Sequence, residues 1–451
     1  MRIIVVGCGK VGRKIIEQLS NEGNDVTVID LKSKVVADIT NSVDVMGVVG
    51  NGTSHVVLEE AGIEETDLLI AVTQSDELNL LCCLIAKKAG NCNTIARVRN
   101  PMYSNEIGYI KEELGLAMTI NPEEAAATEI ARILRFPLAN KIDSFAKGRV
   151  ELLKFNVDDS LIISGSSLID ISKKFQSNVL VCAVERGDEV HIPNGSFTIE
   201  PGDVVTVVCP PKEAKNFFKK LGVPTHSVKN AILVGGGKLA YYLGKQLLSM
   251  GIKVKIFEKN VERCEELCEL LPGAVIINAD ATDKEILSEE GLSDAEAFVS
   301  MTGIDEANVF LSLYAKRFSK AKLVTKINRM EENDIVNEFN LGSVISPKLI
   351  TAEYILRYVR AMRNSIGSNV ETLYRIIENK AEALEFHIRE GAPVVGIPLE
   401  ELKLKEDLII ACISHKGKII TPNGQTKISV GDSVVVVTTQ KNLQDIKDIL
   451  K

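Results

Sequence analysis

Three glycines, Gly7, Gly9 and Gly12, follow directly on the apolar run at residues 3–6 in the spacing G-x-G-x-x-G, and a helix-like stretch follows them. Glycines so placed allow a tight strand-to-helix turn, close approach of backbone to a pyrophosphate, and close packing of helix on sheet. The helix N-terminus would then turn its unpaired N–H groups and positive dipole end towards the phosphates. A second apolar run, VTVID, ends in Asp30, 18 residues after Gly12, where a ribose-binding acid belongs. An acid there accepts from a ribose 2′-hydroxyl and repels a 2′-phosphate, which favours NAD or an adenine nucleotide over NADP.

The same constellation returns 228 residues later. Gly7, Gly9, Gly12 and Asp30 correspond to Gly235, Gly237, Ala240 and Glu258. After one inserted residue the shift becomes 229, and Gly50-Asn51-Gly52-Thr53 falls on Ala279-Asp280-Ala281-Thr282, Thr73 on Thr302, Asp76 and Asn79 on Asp305 and Asn308, and Arg97 on Lys326. Ala240 suits the third position, whose role is helix packing. Arg99 is matched by Asn328, so the second copy is expected to bind more weakly or to take a different nucleotide. Gly50, Asn51, Gly52, Thr73 and Gln74 close the third and fourth strand-like runs, at the edge where doubly wound sheets take ligands. Arg97 at the end of the fifth is either a phosphate donor or one half of a surface salt bridge.

These residues must be carried by an alternating fold. Over residues 1–122 six apolar runs (IIVVG, VTVID, DVMGVVG, LLIAVT, TIARVR, MTI) alternate with helical patterns, as in a parallel, doubly wound, Rossmann-like sheet. Near-continuous apolar character fits strands buried on both faces. A linking helix is expected over 123–149, closed by Pro137, and a small α+β domain built on hairpins over 150–222, with a turn at Arg186-Gly187-Asp188. The pattern restarts with a second nucleotide domain over 230–348, a linking helix over 349–371 and a second small domain over 372–451. The segments at 192–208 and 421–437 repeat one another, so the small domain is duplicated too. The fold class expected is α/β, a tandem duplication of a doubly wound domain followed by a small α+β domain.

Composition limits what else the chain can do. Its 451 residues suggest roughly three or four domains. The 45% apolar and 25% charged content fits packed cores, and a net charge of -8 argues against nucleic acid as a partner. No window approaches 18 consecutive apolar residues, and the first six belong to the strand pattern, so neither a membrane span nor a signal peptide is expected. Nine scattered cysteines without a C-x-x-C pair fit a reduced, cytoplasmic setting. Cys8 reads as a small residue in a crowded turn, Cys82 and Cys83 as helix core, and Cys264 and Cys268 lack the partners of a metal site. The histidines are His55, His191, His226, His387 and His415; His191 and His415 lie by the hairpins and do not match in the repeat, so both read as surface or hairpin residues. No acid–base residue stands out for catalysis.

The doubled glycine fingerprint, the GNGT and DATD segments, and SDELN and IDEAN after the fourth strands together resemble the peripheral nucleotide-binding subunit of the Trk potassium-uptake system over essentially the whole chain. That family carries two regulator-of-potassium-conductance units per chain. The resemblance implies a non-enzymatic cytoplasmic subunit, peripheral on the inner face of the cell membrane, forming a homo-oligomeric ring beneath a potassium-translocating membrane subunit. It implies binding of NAD or NADH, and of ATP or ADP, by Gly7, Cys8, Gly9, Lys10, Val11, Gly12, Asp30, Asn51, Gly52, Thr73, Gln74 and Arg97. In the second copy the corresponding residues are Gly235, Gly236, Gly237, Lys238, Leu239, Glu258, Asp280, Thr302 and Lys326. Asn51 departs from the Asp or His more typical of the family. The implied mechanism is that nucleotide occupancy changes the packing of the nucleotide domains and so the shape of the ring. Two other readings compete: a soluble NAD-dependent oxidoreductase, and a nucleotide sensor without a membrane partner.

Overall fold

The computed structural model describes residues 1–111, 114–135, 141–145, 149–159, 161–175, 179–221, 228–328, 341–365, 370–377, 380–440, 443 and 445–451. These form two compact units, Met1–Ile130 with Asn230–Tyr358, and Ala131–Lys229 with Val359–Lys451.

The first unit contains two parallel six-stranded sheets. In the first, β1 (Arg2–Val6), β2 (Asp25–Asp30), β3 (Met46–Val49), β4 (Leu68–Ala71), β5 (Asn93–Arg97) and β6 (Leu116–Ile120) lie in the order β3-β2-β1-β4-β5-β6. The order reverses beside β1, so the crevice for a ligand opens at the carboxyl ends of β1 and β4. Helices α1 (Lys10–Asn21), α2 (Ser33–Thr40), α3 (His55–Glu60), α4 (Asp76–Gly90), α5 (Pro101–Ile110) and α6 (Pro122–Arg135) complete this part. Strand β4 is buried along its whole length and β1 along all but its first residue, which is why they carry no polar alternation. Helix α4 starts where Ser75 Oγ accepts from Leu78 N at 3.2 Å, and it buries Cys82, Cys83 and Ala86 against the sheet.

The second unit begins with a sheet that the sequence pattern misplaces. Helix α6 ends at Arg135, and β7 (Lys141–Phe145) is a strand paired antiparallel with β8 (Val150–Asn156), within the stretch expected as helix over 123–149. Five residues are too few for periodicity to separate strand from helix, and pairing with β8 decides the matter. Pro137 lies outside the described residues. The sheet order is β10-β9-β11-β8-β7, with β9 (Leu180–Arg186), β10 (Glu189–His191) and β11 (Val204–Cys209). Gly187 (φ 59°) and Asp188 make the two-residue hairpin turn. Helices α7 (Leu168–Phe175) and α8 (Pro211–Lys220) cover the sheet, where Phe155, Phe175, Phe217 and Phe218 meet edge to face.

The pattern then repeats. Strands β12 (Asn230–Val234), β13 (Lys253–Glu258), β14 (Val275–Asn278), β15 (Ala297–Ser300), β16 (Lys322–Lys326) and β17 (Ser343–Ile345) have the order β14-β13-β12-β15-β16-β17 and belong to the first unit. Between them lie α9 (Lys238–Ser249), α10 (Val261–Leu270), α11 (Lys284–Glu289) and α12 (Asp305–Phe318). Helix α13 (Pro347–Ser365) leads to the second small sheet, order β18-β19-β22-β20-β21, formed by β18 (Val370–Ile377), β19 (Ala381–His387), β20 (Leu408–His415), β21 (Lys418–Ile420) and β22 (Ser433–Thr438). Strand β18 therefore starts inside the stretch expected as helix over 349–371. The two small sheets share a core in which Cys182, Ala183, Ala383, Ala411 and Cys412 are buried. Among the described residues no helix is long and apolar enough to cross a membrane.

Candidate functional site

At Gly7 the backbone has φ +98°, and a Cβ would stand 2.9 Å from Thr73 N. A Cβ on Gly12 would meet Gly7 O at 1.9 Å. In the first copy Gly7 and Gly12 therefore leave no room for a side chain, whereas a Cβ on Gly9 would meet nothing within 4 Å, and α1 begins immediately after the turn with Gly9 as its N-cap. Gly235 repeats the conformation at φ +104°, and Gly237 caps α9.

The two acids are held in the same way. Asp30 Oδ2 accepts from Cys8 N at 2.8 Å and Oδ1 from Lys32 N at 3.0 Å. Glu258 Oε2 accepts from Gly236 N at 2.7 Å and Oε1 from Asn260 N at 2.8 Å. Glutamate is one methylene longer, and the neighbouring residue makes room for it: a Cβ on Gly236 would lie 2.9 Å from both Cβ and Cγ of Glu258. The pairs Cys8/Asp30 and Gly236/Glu258 are thus two fillings of one space. Burial, reinforced by the Asp30 charge, pushes the Cys8 thiol up to about 12, so it is held protonated and unreactive.

Beyond the fourth strand of each copy a buried asparagine ties the site together. Asn79 Oδ1 accepts from Thr73 N at 2.8 Å and Thr73 Oγ1 at 2.7 Å, while Nδ2 donates to Arg97 O at 2.9 Å. Asn308 makes the same bonds to Thr302 N (2.8 Å), Thr302 Oγ1 (2.8 Å) and Lys326 O (3.0 Å). Asp76 accepts from Arg99 N and Asn100 N, both at 2.8 Å, and Asp305 from Asn328 N at 2.9 Å. Asn51 and Asp280 both fold the loop after the third strand, accepting from Thr53 N at 3.1 Å and Thr282 N at 3.0 Å. The bonds from Thr282 hold the Asp280 carboxyl below the usual range.

One cavity of about 940 Å³ gathers much of the first copy's set: Gly7, Cys8, Gly9, Lys10, Val11, Asp30, Asn51, Gly52, Thr73, Gln74 and Arg97 all line it. That volume suits a small-molecule ligand. Gly12 stands behind the wall, against Gly7. From the second copy, Leu239 and Lys326 line this same cavity, together with Asn328, Pro347 and Lys348. At the second turn, Gly235 to Lys238, Glu258 holds Gly236 N and Thr302 lies against Gly235, while Asp280 folds its own loop with Thr282.

Arg97 is not half of a surface salt bridge. It is buried, its Nη2 donates to Thr73 O, and its Nε has no hydrogen-bond partner among the described residues. Burial, then the neighbouring Arg99 charge, lowers its pKa. The salt bridge belongs to Arg99, which pairs with Glu123. Lys326 Nζ donates to Thr302 O at 2.9 Å and Met301 O at 3.3 Å, and burial pushes it down as well. The two nucleotide domains meet beside the cavity, where Asn121 Nδ2 donates to Tyr242 Oη at 2.8 Å and Gln246 Nε2 to Thr128 Oγ1 at 3.0 Å.

Sequence reasoning missed Leu31, Lys32, Val35, Leu78, Glu123 and Lys348 on the cavity wall. The repeat held one signal, because Pro122-Glu123 and Pro347-Lys348 both follow the sixth strand of their copy. His415 is more than a hairpin residue: its Nδ1 lies 2.6 Å from Oδ1 of buried Asp432, where the first copy pairs Arg186 with Asp203 at 2.8 Å. His226 lies outside the described residues. Among the described residues no group of three or more His, Cys, Asp or Glu side chains could hold a metal ion.

Two doubly wound domains with paired glycine turns, each with its small α+β companion, define a tandem nucleotide-fold protein of the regulator-of-conductance type. The TrkA-N domain model matches residues 3–122 and 231–347, and the TrkA-C domain model residues 152–222 and 383–451. The chain belongs to the TrkA family. It is 30% identical to Trk system potassium uptake protein TrkA homolog 1 of Methanosarcina mazei over the full length of both chains. It is also 30% identical to Trk system potassium uptake protein TrkA of Halomonas elongata, across 100% of this chain and 99% of the other. Among solved structures, the GsuK channel bound to NAD shares the fold with a TM-score of 0.63 at 15% identity, covering 98% of this chain and 77% of that one.

Proposed function

We propose that this chain is the cytoplasmic regulatory subunit of a Trk-type potassium transporter, that it binds NAD or NADH, with ATP or ADP as further ligands, and that occupancy gates potassium uptake through a partner membrane subunit. The supporting observation is the cavity itself. It is lined both by the first glycine turn with Asp30 and by Leu239, Lys326 and Lys348 of the second nucleotide domain. A nucleotide seated there touches both domains, so binding and interdomain packing draw on one set of contacts. Such a ligand shifts the packing only by its difference in affinity between arrangements, and a tenfold shift takes about 1.4 kcal/mol. One charged contact at Lys326 or Lys348 is of that order.

In this reading Gly7, Gly9, Lys10 and Val11 cradle the pyrophosphate, Asp30 takes the ribose hydroxyls, and Asn51, Gly52, Thr73 and Gln74 flank the nucleoside. Arg97 supplies a buried positive charge. The second turn, Gly235 to Leu239 with Glu258, Asp280 and Thr302, forms a second site. No residue is assigned a catalytic step. The chain acts as a homo-oligomeric ring, peripheral on the inner face of the membrane.

The test is rubidium or potassium flux into proteoliposomes containing a Trk-type membrane subunit, with and without the full chain and NADH. Flux that depends on both, with NADH not consumed, supports the proposal. Flux indifferent to the chain, or steady NADH oxidation, overturns it.

A further inference from the structure

Val35 of α2 lines the first cavity together with Leu31, Lys32, Cys8 and Gly9. At the same place in the repeat, 228 residues on, stands Arg263. It lies in the first turn of α10, where Asn260 Oδ1 accepts from its backbone N at 2.8 Å. From there the side chain reaches back over the glycine turn. Its Nε donates to Gly236 O at 2.6 Å and its Nη2 to Gly237 O at 3.5 Å, while Nη1 pairs with Glu266 at 2.5 Å. All three guanidinium nitrogens are therefore engaged within the protein. In the first copy the space between position 35 and the turn is open cavity. In the second copy the arginine stem and head span it.

We infer that Arg263 is an internal occupant of the second nucleoside seat, so that the two nucleotide sites of the chain are unequal: the first is open, and the second admits a nucleotide only when Arg263 leaves the turn. This rests on the nucleotide-binding reading of the fold. The acid is not the obstacle, since Glu258 holds the same two N–H groups as Asp30. The obstacle is the guanidinium, whose release breaks charge-assisted hydrogen bonds that an apolar residue at this position never makes. Glu266 strengthens the closure by holding the far side of the same group.

The experiment is a calorimetric titration of the full chain with NADH and, separately, ATP. In an Asp30→Ala background, which silences the first site, the second is read alone. Adding Arg263→Val, the first copy's residue, is expected to tighten second-site binding by on the order of tenfold, the equivalent of one charge-assisted hydrogen bond that no longer has to be broken. Glu266→Ala, which removes one anchor, tightens it less. Second-site binding left unchanged or weakened by Arg263→Val overturns the inference, because Arg263 would then be neutral or a ligand contact. Failure of the wild-type chain to bind at the first site is a different result and sinks the nucleotide reading itself.

Discussion

Replacing Asn79 by alanine removes the side chain that joins the fourth and fifth strands at the mouth of the first cavity. Asn79 is completely buried, and its three short bonds, to Thr73 N, Thr73 Oγ1 and Arg97 O, are between 2.7 and 2.9 Å. At about 1 kcal/mol for each net hydrogen bond the loss is about 3 kcal/mol, and buried groups left without a partner add to it. The duplicate serves as an internal control: Asn308→Ala breaks the same three bonds in the second copy and should cost a similar amount. Urea unfolding of the full chain measures the cost, and hydrogen exchange at the Thr73 and Thr302 amides localises it. A cost below about 1 kcal/mol in both variants, with amide protection unchanged, would refute the view that this asparagine holds the cavity edge.

Three further outcomes follow from other parts of the chain. Native alkylation read by peptide mass spectrometry should modify exposed Cys268 first and leave Cys8 unmodified at neutral pH, since burial pushes that thiol up to about 12; comparable rates contradict the packing of the turn. In the first small domain burial alone would raise the Asp203 pKa, but its bonds from Arg186 and from the Glu200 N–H outweigh this and leave it lowered. A lowered folded pKa gives stability that is present above the unfolded value, about 4, and is lost as pH falls through the folded one. Asp203→Asn should therefore flatten the acid limb of the thermal midpoint below about pH 4 and cost about 2–4 kcal/mol at neutral pH, and an unchanged acid limb counts against the pair. Tyr242→Phe removes the hydroxyl that accepts from Asn121 Nδ2 between the two nucleotide domains; it should lower stability by about 1–2 kcal/mol in the same urea titration, and no loss means the contact is neutral.

Much of this architecture is written locally. The glycine spacing, the terminal acids and the alternation of buried strands with helices are short-range patterns, and the duplication doubles each signal. Asp30 and Glu258 are legible singly, yet their equivalence depends on a neighbour, because Gly236 supplies the room that Cys8 occupies in the first copy. No single-position reading reveals such compensation. Strand β7 escaped because five residues carry too little periodicity. Arg97 could be read as a phosphate donor or as a surface salt bridge because arginine is usually exposed, and its burial against Thr73 at the end of β5 is a tertiary feature that no local pattern carries. Lys326 was placed in its own copy by the repeat, while the fold turns it into the first copy's cavity. Contacts across the pseudo-symmetric pair are long-range, and a repeat reports correspondence, not contact.

The central claim is that one cavity, built by both nucleotide domains, is the ligand seat through which they are coupled. The most direct test is a calorimetric titration of the full chain with NADH, comparing wild type with Asp30→Ala and Lys326→Ala. Saturable first-site binding is expected in the wild type, with loss of that site alone in Asp30→Ala and about tenfold weaker first-site binding in Lys326→Ala, the worth of one charged contact contributed by the second domain. Absence of binding in the wild type, or first-site affinity indifferent to Lys326, would contradict it.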